Sequence, residues 1–544
     1  MRAVLVPLPC VLLAATAAAQ CGLEKLYVPG GEQFDRLSTA AIDGPLAVVG
    51  APGAGLGPNS EGQAFVYSRA ITGWQLDAEL TPGDPQSYGG FGGALDVGGD
   101  TIVVGANRTA DLGVDSGSAY VFELGPGGWT QTAKLLAADG VAKQLFGTSV
   151  ALEDDCIAVG APGLFLSGFT GAVYLFERQP GGAWVQTQKL LASDAEVEDG
   201  FGISVSLDAG PRLLVGANAE DGAGVNRGAA YVFEESGGGW AETAKLTHPN
   251  PADYDLLGRS VSLSGDTALV GAWAEDAKGK DSGSAHVFEL GPGGWAHTAE
   301  LLPTTLDPED EFGTSVALDG DRALVGAPHD DNASTFNPGK AYLFERSGGV
   351  WDGGTRIYAC DVVFLKHSEF GRSVALQGDV LLVGDPHDSD LAFEAGSVQA
   401  FTSGLDSPPL TCALTGCYGR VSVSAGGEEP YQLIAGPGHG GELFLLLGSA
   451  SGHAPGLVVD GVAVPLNPAD AYFLHTLSMP NQAPLIKSLG TLGPGGTGQG
   501  QFKIVAGLAP PAVVGLQFVH AFVTVDATPA VAFASNWTTL DLVP

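Results

Sequence analysis

One phrase recurs seven times along the chain, beginning at Phe34, Phe91, Phe146, Phe201, Leu257, Phe312 and Phe370. Two clear copies read FGTSVALDGDRALVGAP and FGRSVALQGDVLLVGDP. The glycine near the end of the phrase falls at 50, 105, 160, 216, 271, 326 and 384, in steps of 55, 55, 56, 55, 55 and 58 residues. Such a period makes the chain an array of one supersecondary unit, and each copy must bury its apolar face against its neighbours. A repeat assembly also accounts for 544 residues, too many for one ordinary core. With 82 Gly and 34 Pro, the units are built from turns and short strands rather than long helices.

Each phrase reads as a hairpin. A strand such as Ser315-Val316-Ala317-Leu318 meets the tight turn Asp319-Gly320-Asp321, and Ala323-Leu324-Val325-Gly326 returns. The returning strand is nearly all apolar, which predicts cover on both faces. A third strand follows, as in Ala119-Tyr120-Val121-Phe122 and Ala341-Tyr342-Leu343-Phe344. A Gly-rich turn then leads into Trp74, Trp129, Trp184, Trp240, Trp295 or Trp351 and a fourth strand, such as Thr132 to Leu136. The fourth strand follows a Trp only six times. The missing copy, Leu23-Glu24-Lys25-Leu26, lies at the other end, before Phe34. The N-terminal strand can therefore complete the last unit and close a ring, as in a β-propeller. The expected fold is all-β: a seven-bladed propeller of four-stranded blades over residues 20–404, with Phe, Tyr and Trp packing blade against blade.

These phrases resemble the FG-GAP repeat, which builds the seven-bladed propeller of integrin α subunits and of many secreted bacterial proteins. The resemblance covers about residues 21 to 404. Integrin-type repeats often carry a calcium loop between the first two strands, resembling Asp-x-Asp-x-Asp-Gly-x-x-Asp. Here that connection is a tight turn such as Ser264-Gly265-Asp266 or Gln377-Gly378-Asp379, too short to wrap an ion in six or more oxygens. No integrin-type calcium site is therefore carried over, and the turn resembles the short-turn bacterial variant.

The two ends differ from the repeats. Arg2 followed by the apolar run Ala3 to Ala15 and the small residues Ala17-Ala18-Ala19 reads as a signal peptide over residues 1–19. Secretion or a place in the cell envelope follows. Lipid anchoring at Cys21 is disfavoured, because Gln20 stands where a small residue is wanted. No later stretch holds 18 uninterrupted apolar residues, so no membrane span is expected. Residues 405–544 resemble a C-terminal β module of secreted bacterial proteins. Their alternating segments, such as Gln517 to Val523, read as a small β-sandwich. Cys412 and Cys417 are spaced for a local disulfide, and the pairing of Cys21, Cys156 and Cys360 stays open. The cysteine spacing matches no zinc site, and no paired His follows.

Charge narrows the partners. Lys and Arg number 24 against 61 Asp and Glu, a net charge of −37, which repels nucleic acid and anionic membranes. The tail holds only 8 acids and 3 bases, so the acidity belongs to the propeller. It concentrates in the longer connections. The entries to first strands carry Asp194, Glu196, Glu198, Asp199, Asp310 and Glu311, and the second-to-third loops carry Asp221, Asp276, Asp330, Asp331, Asp388 and Asp390. One strongly negative face is expected. It serves either solubility or weak Ca²⁺-dependent ligand binding. No other cofactor is expected. His329-Asp330 and His387-Asp388 hold matching positions in adjacent units, which repeat phase alone explains. No G-x-S-x-G, HExxH or phosphate-cradling loop is present, and nothing singles out a carboxylate pair.

The expected function is therefore non-catalytic: a secreted, monomeric propeller that binds an extracellular protein or surface glycan. A structural cell-envelope protein is the first alternative. An enzyme on extracellular polysaccharide is the second, opposed by the near-uniform blade lengths. Convergence of His, Arg and carboxylates within about 3 to 5 Å of one point would favour that enzyme.

Overall fold

The computed structural model describes residues 23–27, 36–37, 39–53, 61–70, 73–222, 224–330, 339–359, 368–388 and 396–402, together with backbone strands between 414 and 543. Residues 23–402 form one compact unit of seven antiparallel sheets. Blade 1 consists of Thr39–Asp43, Leu46–Ala51, Gln63–Ala70 and Gly73–Leu80, hydrogen-bonded in that order. Blades 2 to 6 repeat the pattern over residues 94–135, 149–190, 204–246, 257–301 and 315–357. Blade 7 has only three strands in sequence, Val374–Gln377, Val380–Asp385 and Ser397–Thr402. Its fourth strand is Leu23–Leu26, with Leu23 opposite Phe401 and Leu26 opposite Val398. The ring closes as the missing fourth strand requires.

Burial follows strand position. The second strand of blade 2, Thr101–Ala106, is buried at every residue, whereas the fourth, Gly128–Leu135, is half-buried or exposed until it ends on buried Leu135. The first turn spans two residues in six blades: Asp319 faces Arg322 across Gly320 and Asp321. Gly320 stands in the left-handed region at φ 56°, where a side chain is strained. In blades 1 to 5 a bulge interrupts the pairing of third and fourth strands at the same place, between Val121 and Phe122 in blade 2. Blade 6 goes further. Its fourth strand splits into Val350–Trp351 and Thr355–Ile357, because the Asp352 carboxylate turns the chain by accepting the Glu345 and Gly354 amides.

The phenylalanine of the repeat is the wedge between blades. Phe312 lies edge-on to Tyr342 and Phe344 of its own blade, at 5.5 and 6.0 Å, and its backbone bridges Gly283 of the preceding one. The same triad recurs at Phe91, Phe146 and Phe201. The first repeat departs from the sequence register. Phe34 lies outside the described residues, and fully buried Leu37 makes the bridge instead, to Gly396 of blade 7. The Trp residues pack on the same interblade clusters, Trp240 buried and the others partly so. The glycine following each Phe offers its carbonyl to the preceding blade, as where Ser260 Oγ donates to Gly313 O at 2.8 Å.

Between 414 and 543 the backbone forms a second unit. One sheet holds four strands and another six, including Gln517–Val525, and Leu457–Val459 pairs with Val462–Val464. The side chains that a sandwich core needs lie outside the described residues, as do residues 1–19 and Cys21, Cys360, Cys412 and Cys417. Cys156 is a free thiol, pushed up to about 12 by burial and by Glu177 and Glu235. Among the described residues no helix is long and apolar enough to cross a membrane.

Candidate functional site

Antiparallel topology sends the tight first turns and the Gly-Trp turns to one end of the ring. The longer connections, which carry the acidic residues, emerge at the other. There the acids are largely engaged by the fold. Asp194, leaving blade 3, accepts Tyr231 Oη at 2.8 Å and Lys245 Nζ at 2.6 Å, both from blade 4. Asp139 holds Tyr174 and Lys189 in the same way, and Asp84 pairs with Lys134 at 2.5 Å. The lysines also lie 5.2 to 5.3 Å from the tyrosine ring centres. Each set staples one blade to the next. Burial would raise the Asp194 and Asp139 carboxyls, but their Lys and Tyr partners prevail and hold both below the usual range.

The other expected acids have equally local partners. Asp388 pairs with Lys25 of the closing strand at 2.9 Å, each side chain only 4% exposed. Asp330 is buried against Lys340 and Tyr342. Asp199 and Asp310 are buried and accept the amides of Glu196 and Asp307, at 2.6 and 2.7 Å. Burial foremost pushes their carboxyls up, to about 6 and about 7. Asp221 and Asp276 are exposed and turn their own loops by accepting the amides of Asn226 and Asp281. Glu196 is exposed, and Glu198 takes a left-handed φ of 74°. Asp331 and Asp390 lie outside the described residues. Among the described residues none of these acids joins two further donors around one point suited to an ion. Most of the described acids on the face expected to offer open cation ligands are instead engaged locally: Asp194 by the next blade, Asp330 and Asp388 within their own blades, and Asp199, Asp221, Asp276 and Asp310 by amides of their own loops.

Blades 5 to 7 break the pattern on the same face. His329 Nδ1 lies 3.0 Å from Glu311, and its Nε2 3.9 Å from Glu369; His387 Nδ1 is 3.6 Å from Glu369. His329 donates to Glu311, and with the Glu369 carboxylate also near it is raised to about 9 against the opposing effect of burial, so it is a cation at neutral pH. Glu369 is held low, first by His329, with His387 and Arg372 adding to it. Arg259 and Arg372 enter the innermost strands of blades 5 and 7. Burial and then Arg372 press the Arg259 pKa down, while Glu311 opposes them. Two arginines, two histidines and two glutamates thus meet here. The sequence pairing of His329 with Asp330 and His387 with Asp388 is replaced in space by His–Glu contacts, of which His329–Glu369 crosses from blade 6 to blade 7. A second histidine group, His248, His286 and His297, also went unmarked by the sequence, since it spans two blades and only alignment to repeat register exposes it.

A seven-bladed β-propeller with an N-terminal closing strand is the class that this fold defines. Segments 74–122, 129–176, 184–233, 240–288, 295–344 and 356–401 match the FG-GAP repeat family, together more than half of the chain. The chain belongs to that family. No curated protein sequence matches it. Similar solved structures include Sqt1 of Chaetomium thermophilum, at 15% identity over 68% of this chain and 87% of that one, with a TM-score of 0.40. The β-propeller domain of the Trilobed protease from Pyrococcus furiosus is 7% identical over 69% and 100%, with a TM-score of 0.37. Acylaminoacyl peptidase of Pyrococcus horikoshii is 9% identical over 75% and 59%, with a TM-score of 0.38.

Proposed function

We propose that this is a secreted binding propeller of the short-turn bacterial type, which holds an extracellular protein or surface glycan on its loop face. The observation that carries this reading is the break in symmetry across blades 5 to 7. Elsewhere the loop acids are mostly engaged by staples between blades or by amides of their own loops. In this sector Arg259, Arg372 and a protonated His329 stand against the two carboxylates of Glu311 and Glu369, a surplus of positive charge in a chain of net charge −37. Such a place suits an anionic group on the partner, and clustered fixed charge supplies specificity and on-rate. The apolar leader over residues 1–19 supports export, and the tail beyond 404 would space or anchor the propeller.

The test is capture of partners from arrays of extracellular proteins and of neutral and acidic glycans by the full mature chain. Binding to an acidic ligand is expected, weakened about tenfold or more by Arg372→Ala or His329→Ala, the size expected of a central interface residue. It should fall as pH rises through about 9, and His329→Gln should remove that step. Capture unaffected by either variant would place the partner elsewhere. Amino-terminal sequencing of protein recovered outside the cell, expected to begin at Gln20, tests export.

A second reading has one specific observation behind it: the His329–Glu311 and His387–Glu369 contacts bring acid–base groups and arginines together, as in an enzyme on acidic polysaccharide. The near-uniform blades insert no long loop to enclose a sugar chain there. Release of reducing ends or unsaturated sugars from such polymers, lost in Glu369→Gln, would favour it over binding alone.

A further inference from the structure

Blade 5 lacks the staple that joins blades 1 to 4 to one another. The tyrosine found as Tyr120, Tyr174, Tyr231 and Tyr342 is replaced by His286 at the same register. The lysine found as Lys134, Lys189 and Lys245 becomes Glu300. Asp84, Asp139 and Asp194 correspond to Asn250, four residues beyond the last leucine of the preceding fourth strand. No Lys–Tyr–Asp set can form between blades 4 and 5.

A different set of donors fills the gap. His248 comes from the connection leaving blade 4, Glu275 from the second-to-third loop of blade 5, and His286 from its third strand, Ser284–Gly291. One donor atom from each lies within 4.8 Å of the other two. His286 Nε2 is 2.9 Å from Glu275 Oε2, and His248 Nε2 is 3.5 Å from Glu275 Oε1. Ligands about 2.0 to 2.2 Å from one tetrahedral ion lie roughly 3.3 Å apart, so both separations are close to those of a bound site. The cluster is secluded: His286 is fully buried, and the His248 and Glu275 side chains are 10% and 14% exposed. It also has the outer contacts that orient metal ligands. His297 Nε2 meets His286 Nδ1 at 3.1 Å, and Ser284 Oγ contacts both His286 and Glu275.

We propose that His248, Glu275 and His286 bind one Zn²⁺ ion, which replaces the missing staple between blades 4 and 5. Two imidazoles and a carboxylate suit Zn²⁺ and its borderline neighbours and leave a fourth position for water. They do not suit Ca²⁺, which requires six to eight oxygens. The site is distinct from the His329 sector and does not depend on the binding reading.

The experiment uses the full mature chain, without an affinity tag and stripped by chelator. It is titrated with ZnCl₂ against a chromophoric competitor, with Co²⁺ as a spectroscopic substitute. One equivalent of Zn²⁺ is expected, together with tetrahedral Co²⁺ absorption and a rise in melting temperature, since a ligand of the native state stabilises it. His286→Tyr restores the residue of four other blades, so it should fold normally and lose that equivalent. His248→Gln, which leaves the strands untouched, should also lose it. His297→Phe should weaken binding by about 10- to 100-fold. Absence of stoichiometric Zn²⁺ in the wild type would overturn the proposal. So would wild-type affinity in His286→Tyr, or in His248→Gln should the first variant fail to fold.

Discussion

Tyr231 shows how a single side chain works at two levels. Its ring packs edge-on to Phe201 at 5.5 Å, and its hydroxyl donates to Asp194 from the preceding blade. The ring is legible in the sequence as part of the repeat. The bond is not, because Asp194 is 37 residues away and is brought close only when two blades meet. Tyr231→Phe keeps the packing, as blade 1 does naturally with Phe65, but loses a hydrogen bond to a charged group. We expect a cost of about 1.5 to 3 kcal/mol by chemical denaturation. In Asp194→Ala the same substitution should cost much less. Equal costs in both backgrounds would show that the bond contributes nothing.

At the scale of the blade, two glycines set the spacing near the ring axis. The second-strand glycine of one blade abuts the glycine carbonyl that follows the Phe of the next. A Cβ on Gly271 would lie 2.0 Å from Gly313 O and 2.5 Å from Ser260 Oγ. Gly271→Ala must part the blades, and we expect a loss of about 3 kcal/mol or more, at the upper end of overpacking costs. Gly127→Ala, in an open Gly-Trp turn with nothing within 4 Å, should change stability by less than about 1 kcal/mol. Thermal melts of the pair separate close packing from mere chain stiffness. The repetition of these glycines is plain in the sequence. That one faces a neighbouring backbone and the other solvent is a fact of the assembled blade. Blade 6 likewise reads like its siblings until Asp352 divides its last strand.

For the whole molecule, stability should vary with pH in a defined sense. Asp199 and Asp310 are raised to about 6 and about 7, above the usual value near 4, so the native state holds more protons than the unfolded one between about 4 and 7. His329, raised to about 9 from about 6.5, does the same from 6.5 to 9. Both contributions fade as pH rises, and self-repulsion at a net charge of −37 acts in the same direction. Asp139, Asp194 and Glu369 are lowered, so the stability they supply is present above about 4 and lost as pH falls further. The melting temperature should peak near pH 4 to 5 and fall steadily by pH 8.5, less steeply in His329→Gln. A maximum above pH 8 would contradict this assignment.

The sequence by itself determined the number of blades, their four strands and the strand that seals the ring. Those properties depend on local pattern repeated at a constant interval, and Leu23 to Leu26 announces itself as the one copy out of place. The acidic residues it marked, where described, lie on the longer connections. Only the tertiary structure decided what those residues do. Side chains far apart in the sequence become neighbours when strands and wedges pack: Lys245 reaches Asp194 of the preceding blade, Lys25 of the closing strand reaches Asp388 within blade 7, and His329, His387 and two glutamates converge. Repeat phase fixes where a side chain stands within its own blade, and the adjoining blade decides whether that side chain is a staple, a ligand or a free charge.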